Sequence, residues 1–192
     1  MQTWPDQHPK WRYLVWGNDD LRKRDWVTHD QINWFWARGM WAGVADCMRY
    51  ELLHEYGGFM PGADCICERP VDELLNDQPD TIDCWAVYES EKAKPGWITP
   101  PYAARRGSRF LATVIEAVRS LTERDMGPPW VCVGNKLIGD LAASSGASEA
   151  IHVWPDHYFN PRHHTGIEYD GPDKPYGRQM WGSTAGSGGY PT

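Results

Sequence analysis

Asp46 and Arg49 stand three residues apart in a stretch with helical spacing, so a carboxylate and a guanidinium share one face and can act together on a polar ligand. Downstream, Gly57-Gly58 and the short apolar pair Phe59-Met60 lead into Pro61-Gly62-Ala63-Asp64. This order reads as turn, strand and loop, with Asp64 carried just past a strand of an α/β sheet, where such folds bind ligands. Its hard carboxylate oxygens suit Mg²⁺ or Mn²⁺ beside phosphates. Plainer readings stand beside these: an exposed helix ion pair for Asp46–Arg49, and a turn acid for Asp64. Asp156, His157, His163 and His164 are also metal-ligating types, but the segment from Asp156 to Asp173 is rich in Pro, Gly and His and reads as a solvated loop. Cys65-x-Cys67 lacks the two-residue gap of a zinc knuckle and has no second cysteine pair.

The elements that must position these groups follow from periodicity. Trp41 to Tyr56 predicts a helix whose apolar stripe runs through Trp41, Val44, Ala45, Met48, Leu52 and Tyr56, stopped by Gly57-Gly58. Short strands are expected at Phe59-Met60 and Cys65–Cys67, a one-turn helix within Pro70–Leu75, and strands at Trp11–Trp16, Ile82–Tyr88 and Ala150–Trp154. Further helices are expected over Arg105–Leu121 and Asn135–Ala143. Strands interleaved with helices indicate an α/β class with a mixed central sheet flanked by helices. The length of 192 residues fits one domain, 1–192, better than two.

Composition narrows the function classes. Lys and Arg total 19 against 26 Asp and Glu, a formal charge of −7. That balance argues against a nucleic-acid-gripping role, which needs clustered cations; Arg22-Lys23-Arg24 and Arg105-Arg106 are too short to overturn it. No run approaches the ~18–20 consecutive apolar residues that span a bilayer, and the opening residues lack the apolar core of a signal peptide. A soluble, cytoplasmic protein with no membrane span is expected, its five cysteines reduced. The 12 tryptophans include seven between Trp4 and Trp41. Most should fill core and ordinary surface, leaving one or two to line a ligand site. From Gly182 to Thr192 the chain is Gly/Ser-rich and reads as a flexible tail.

Asp46-x-x-Arg49-Tyr50-Glu51-x-Leu53-x-x-Tyr56-Gly57-Gly58-Phe59, with the acidic loop and Pro70-Val71-Asp72-Glu73-Leu74-Leu75, resembles the donor-sugar-binding core of family 32 glycosyltransferases. These include yeast-type α-mannosyltransferases and bacterial capsule enzymes. The likeness is specific over residues 41–75 and looser elsewhere. His8-Pro9-Lys10-Trp11 through Trp16, the Gly127-Pro128 turn and the Trp181-Gly182-Ser183 end are similar to other family segments.

The resemblance implies a GT-A-like fold, N-terminally shortened, and retaining transfer of a sugar from a nucleotide-sugar donor (UDP- or GDP-linked) to a glycan or other hydroxyl acceptor. It implies that Asp46 and Arg49 are catalytic and bind the donor's sugar hydroxyls, and that Gly62, Ala63 and Trp181 line the substrate. Asp64, as the second acid of D-x-D, would be catalytic and a ligand of Mn²⁺ or Mg²⁺, joined by Gln179 and Ser183. Two positions depart from the family pattern: Gly62 stands where the first acid of D-x-D belongs, and Gln179 where the family has His. The alternative expectation is a degenerate, non-catalytic member that binds a glycan or a partner protein through its Trp-rich surface.

Overall fold

The computed structural model describes residues 2–76, 78–144 and 146–182. Three short helices, α1 (Thr3–Gln7), α2 (Asn18–Lys23) and α3 (His29–Trp36), precede the long helix α4 (Trp41–Tyr56). Next come strands β1 (Gly58–Met60) and β2 (Cys65–Cys67), the one-turn helix α5 (Asp72–Leu75), and strands β3 (Cys84–Ser90) and β4 (Lys94–Ala104). Helices α6 (Arg109–Arg119), α7 (Pro129–Cys132) and α8 (Asn135–Ala143) lead to β5 (Ile151–Trp154), a 3₁₀ turn over Asp156–Tyr158 and β6 (Gly177–Gln179).

The sheet is mixed and four-stranded, ordered β1-β4-β3-β5, with β5 parallel to β3 and the other pairs antiparallel. Alternation along β3 sends Cys84 and Ala86 to one face and Trp85 and Val87 to the other. The first face carries the larger core, built with Val44, Tyr50 and Leu53 of α4, Phe110, Val114 and Val118 of α6, and Ile138 of α8. The second is covered by the separate ribbon β2–β6 together with Trp4 of α1, Trp154 and Phe159. An α/β architecture with a mixed central sheet and flanking helices is therefore what the chain adopts.

The helix expected over Trp41–Tyr56 forms over that span, but its buried stripe is rotated. Trp41, Ala45 and Tyr56 are exposed, while Cys47, Tyr50, Glu51 and Leu53 are buried. The rotation brings in Glu51, a buried acid that accepts hydrogen bonds from the backbone N–H groups of Val27 and Thr28 (2.9 Å each) and from the Thr28 hydroxyl (2.7 Å). The strand expected over Trp11–Trp16 does not form. Its residues have β propensity but find no sheet edge to pair with, and Val15 is left 86% exposed. The segment Asp156–Asp173 is not uniformly solvated either, since Phe159, Asn160 and His163 are buried.

Gly57 ends α4 at φ 69°, ψ −168°, a conformation reserved for glycine, and a Cβ there would lie 2.8 Å from the Arg106 amide nitrogen. This turn converts α4 into β1 and so aims the chain at Asp64. Gly57→Ala should lower unfolding free energy by about 3 kcal/mol, combining backbone strain with a clash against main chain. Urea denaturation checks this; a loss below about 1 kcal/mol would show that the turn relaxes freely.

Candidate functional site

Two acidic centres lie on either side of the α4–β1 turn. In the first, Arg49 Nη1 donates to Asp46 Oδ1 at 2.7 Å, and the side chains keep only 11% and 14% of their exposure. The Arg49 guanidinium lies over the Tyr102 ring, 5.7 Å from its centroid. Opposite, the junction of α7 and α8 closes in: Tyr50 donates its buried hydroxyl to the Val133 carbonyl (2.9 Å), and a Cβ at Gly134 would sit 3.0 Å from Asp46 Oδ2. Glycine at 134 thus leaves room for the Asp46 carboxylate. Among the described residues Arg49 is the one hydrogen-bond donor to Asp46, and Arg49 Nε is buried without a partner. This pair is neither an exposed helix ion pair nor a saturated one.

Burial lifts the Asp46 carboxyl from 3.8 to about 6, against the opposing pull of the Arg49 charge. The sign for stability follows directly. Between about pH 4 and 6 the folded chain retains a proton that the unfolded chain has released, so the Asp46 contribution to stability falls as pH rises through that window. In Asp46→Asn this slope is absent. Urea melts at stepped pH should show the variant gaining on the parent by on the order of 2 kcal/mol between pH 4 and 7. A difference that stays constant with pH would mean that Asp46 titrates normally.

In the second centre, β2 is held from both edges. β6 pairs with it antiparallel, Cys65 opposite Gln179 and Cys67 opposite Gly177. On the α1 side, Trp4 Nε1 donates to the Cys65 carbonyl (2.8 Å), and the Cys67 amide donates to Thr3 Oγ1 (3.0 Å). Asp64 occupies the turn just before β2, where its Oδ1 accepts from the Gln179 side-chain amide and its Oδ2 from the Gly182 N–H (2.8 Å). Ala63 is exposed in the same turn. A Cβ at Gly62 would come within 2.9 Å of Gln179 Oε1, so the Gln179 amide spans from Gly62 to Asp64. Ser183 lies outside the described residues.

Trp181 is placed by the same C-terminal segment at φ 54°, a left-handed conformation unusual for a bulky residue. Its Nε1 donates to the Arg162 carbonyl (2.8 Å), and its ring packs edge-on against His163 and His164 with centroids 5.0 and 5.2 Å away. His163 faces Glu89 at the end of β3, Nε2 to Oε1 at 3.2 Å, and Glu89 also accepts from Asn135 Nδ2 (2.7 Å) at the start of α8. A wall of contacts therefore runs from Asp64 through Gly182, Trp181, His163, Glu89 and Asn135 to Gly134, which abuts Asp46. Among the described residues no hydrogen bond or ion pair joins Asp46–Arg49 to Asp64 directly. Sequence reasoning missed Glu89, Asn135 and Gly134. An acid inside the otherwise apolar strand segment Cys84–Tyr88 and its continuation was the available signal for Glu89.

Residues 1–80 match the family described as a glycosyltransferase sugar-binding region containing a DXD motif. Asp46, Arg49 and Asp64 all fall within the match. Among solved structures, "PaToxG Glycosyltransferase" is similar at a TM-score of 0.47 and 12% identity, over 65% of this chain and 42% of that one. The chain thus spans less than half the length of that structure. No curated protein matches the chain. No helix among the described residues is long and apolar enough to cross a membrane.

Proposed function

We propose that this chain transfers a sugar from a nucleotide-sugar donor to a hydroxyl of a glycan or other acceptor, as a GT-A-like, family 32-type retaining glycosyltransferase acting as a single domain. The observation that carries the reading is the Asp46–Arg49 pair: largely buried, short of partners among the described residues, and inside the region similar to a sugar-binding family. Among the described residues one Asp46 oxygen and the Arg49 Nε–H have no protein partner, and they offer an acceptor and a donor to sugar hydroxyls in a poorly hydrated place, where each hydrogen bond discriminates strongly.

In this reading Asp46 and Arg49 hold the donor sugar, and Trp181 supplies an apolar wall with Gly62 and Ala63 at the rim. The acceptor oxygen bonds to the anomeric carbon on the face from which the diphosphate leaves. As the anomeric C–O bond breaks, the leaving phosphate oxygen takes up the electron pair and then the acceptor's proton, while Arg49 offsets developing negative charge.

The residues also fit a divalent cation that arrives with the diphosphate. Asp64 provides one carboxylate, and rotation of the Gln179 amide, already touching it, would add a carbonyl oxygen; Ser183 is the third expected ligand. Mg²⁺ and Mn²⁺ bind in this manner through one or two carboxylates plus substrate phosphates. Such a cation would supply Lewis-acid stabilisation of the departing diphosphate. The expected cytoplasmic setting belongs to the same proposal and rests on five free cysteines, four of them buried.

A second reading draws on a specific observation: both Asp64 oxygens already accept protein hydrogen bonds, and Gly62 offers no oxygen beside them. That arrangement suits a non-catalytic member that binds a glycan or partner without metal.

Thermal shifts with UDP, GDP and their sugars, each with and without Mn²⁺, separate the two. A shift that requires both nucleotide and metal, is lost in Asp64→Ala and is enlarged in Gly62→Asp, which restores the missing acid, is the expected result. No shift with any nucleotide, accompanied by metal-independent binding of a glycan, would overturn the transferase in favour of the second reading.

A further inference from the structure

We infer that Glu89, His163 and His164 form a binding site for a divalent transition cation of the zinc class, separate from Asp64. One ligand atom from each of these residues lies within 4.8 Å of the other two. Two imidazoles and one carboxylate select borderline metals over Mg²⁺ or Ca²⁺, which prefer all-oxygen shells.

The site is built in its surroundings as well as in its ligands. His163 and Glu89 are both buried, while His164 is exposed. The loop carrying the histidines is closed on itself: the His163 N–H donates to the Ile167 carbonyl (2.8 Å), the Gly166 N–H donates to the His163 carbonyl (2.9 Å), and Arg162 pairs with Glu168 across a bridge. Within this turn the rings of His163 and His164 lie together, with centroids 4.1 Å apart. Both then pack against the edge of Trp181.

The supporting partners of a metal site are present too. His163 Nδ1 lies 2.8 Å from Thr165 Oγ1, and Asn135 Nδ2 donates to Glu89 Oε2 at 2.7 Å, leaving Oε1 toward His163. Such contacts orient ligating imidazoles and carboxylates. Binding needs the Nε2 lone pair of His163, so the ring proton moves from Nε2 to Nδ1, which gives up the hydrogen bond it accepts from the Thr165 N–H (3.4 Å) and donates instead to the Thr165 hydroxyl oxygen. Bonds of roughly 2.0–2.1 Å to nitrogen and oxygen require the three atoms to draw in by about 1 Å. His164 is exposed and can supply that movement. The fourth position of a tetrahedral shell is left to water.

Bound there, the cation would tie the loop to the end of β3 and buttress Trp181, whose neighbour Gly182 holds Asp64. It would stiffen the wall of the candidate site without touching the donor.

The test uses the tag-free, chelator-treated 192-residue chain titrated with Zn²⁺ by calorimetry and with Co²⁺ by visible absorption. One equivalent of Zn²⁺ should bind, and Co²⁺ should give the intense bands of a low-symmetry four-coordinate site. His164→Ala, a change at an exposed side chain whose fold is checked by far-ultraviolet dichroism and metal-free melting, should weaken Zn²⁺ binding at least tenfold. Asp64→Asn should leave it unchanged. Failure to bind Zn²⁺, parental affinity in His164→Ala, or loss of binding in Asp64→Asn would each overturn the assignment. No nucleotide enters this experiment, so its failure is distinct from failure of the transferase reading.

Discussion

A carboxylate withdrawn from water must find donors, and this fold is organised around four acids that face that requirement. Glu51 is met by Val27 and Thr28, which fastens the segment before α3 to the long helix. Asp83 accepts from Ser108 Oγ (2.6 Å) and from Arg109 Nε (2.8 Å), joining the start of β3 to the start of α6; burial alone would raise its pKa, but these donors outweigh it and hold the acid below its ordinary range. Glu89 is met by Asn135 and His163, joining the other end of β3 to α8 and the following loop. Each bond links segments far apart in the chain, and removing one partner would leave a buried charge exposed to a penalty of a few kcal/mol.

Asp46 is the exception. Its one donor among the described residues comes from one turn along the same helix, and burial pushes its carboxyl up to about 6, where that of Asp83 is held down. An acid that stabilised the fold would be expected to follow the pattern of the other three. Leaving it under-satisfied has a cost, and functional sites are where such a cost is tolerated, because the missing donors can come from a ligand. The contrast between Asp46 and Asp83 is therefore the strongest physical reason to place ligand binding at the α4 face rather than at the head of α6.

The parts of this arrangement that depend on near neighbours were legible in the residues. The span of α4, its Gly57-Gly58 stop, the short strands flanking Asp64 and the Asp46–Arg49 pairing all follow from spacing of three or four residues, or from the unique freedom of glycine. Strand β4 was not legible although it is the longest: Pro95, Pro100 and Pro101 argue against a central strand, and only the paired edges of β1 and β3 show that it is one. Helix α3 was hidden for a related reason, since its apolar residues sit in a tryptophan-rich run with no clean period. The loop after β5 looked solvated because clustered Pro and Gly mark turns, and connecting segments run over the surface. The buried His163 meets Glu89, 74 residues earlier in the chain, a pairing no local pattern carries.

The same limit applies to the two departures from the D-x-D pattern, which look independent in the sequence and are in contact in the fold. The space a side chain at position 62 would enter is where the Gln179 amide lies, and that amide bonds to Asp64. An acid at 62 would sit against Gln179 Oε1, oxygen to oxygen, and would be repelled unless the amide turned over or a cation lay between them. Glycine at 62 and glutamine at 179 are thus compatible as a pair: one vacates a position that the other partly fills, and the remaining acid keeps a donor on each oxygen. Asp64 is in this way held in place before any ligand binds, by a segment that belongs to the opposite end of the chain. Whatever occupies the site must compete with, or reorient, the Gln179 side chain, a flexible group whose rotation costs far less than breaking the β2–β6 ladder beneath it.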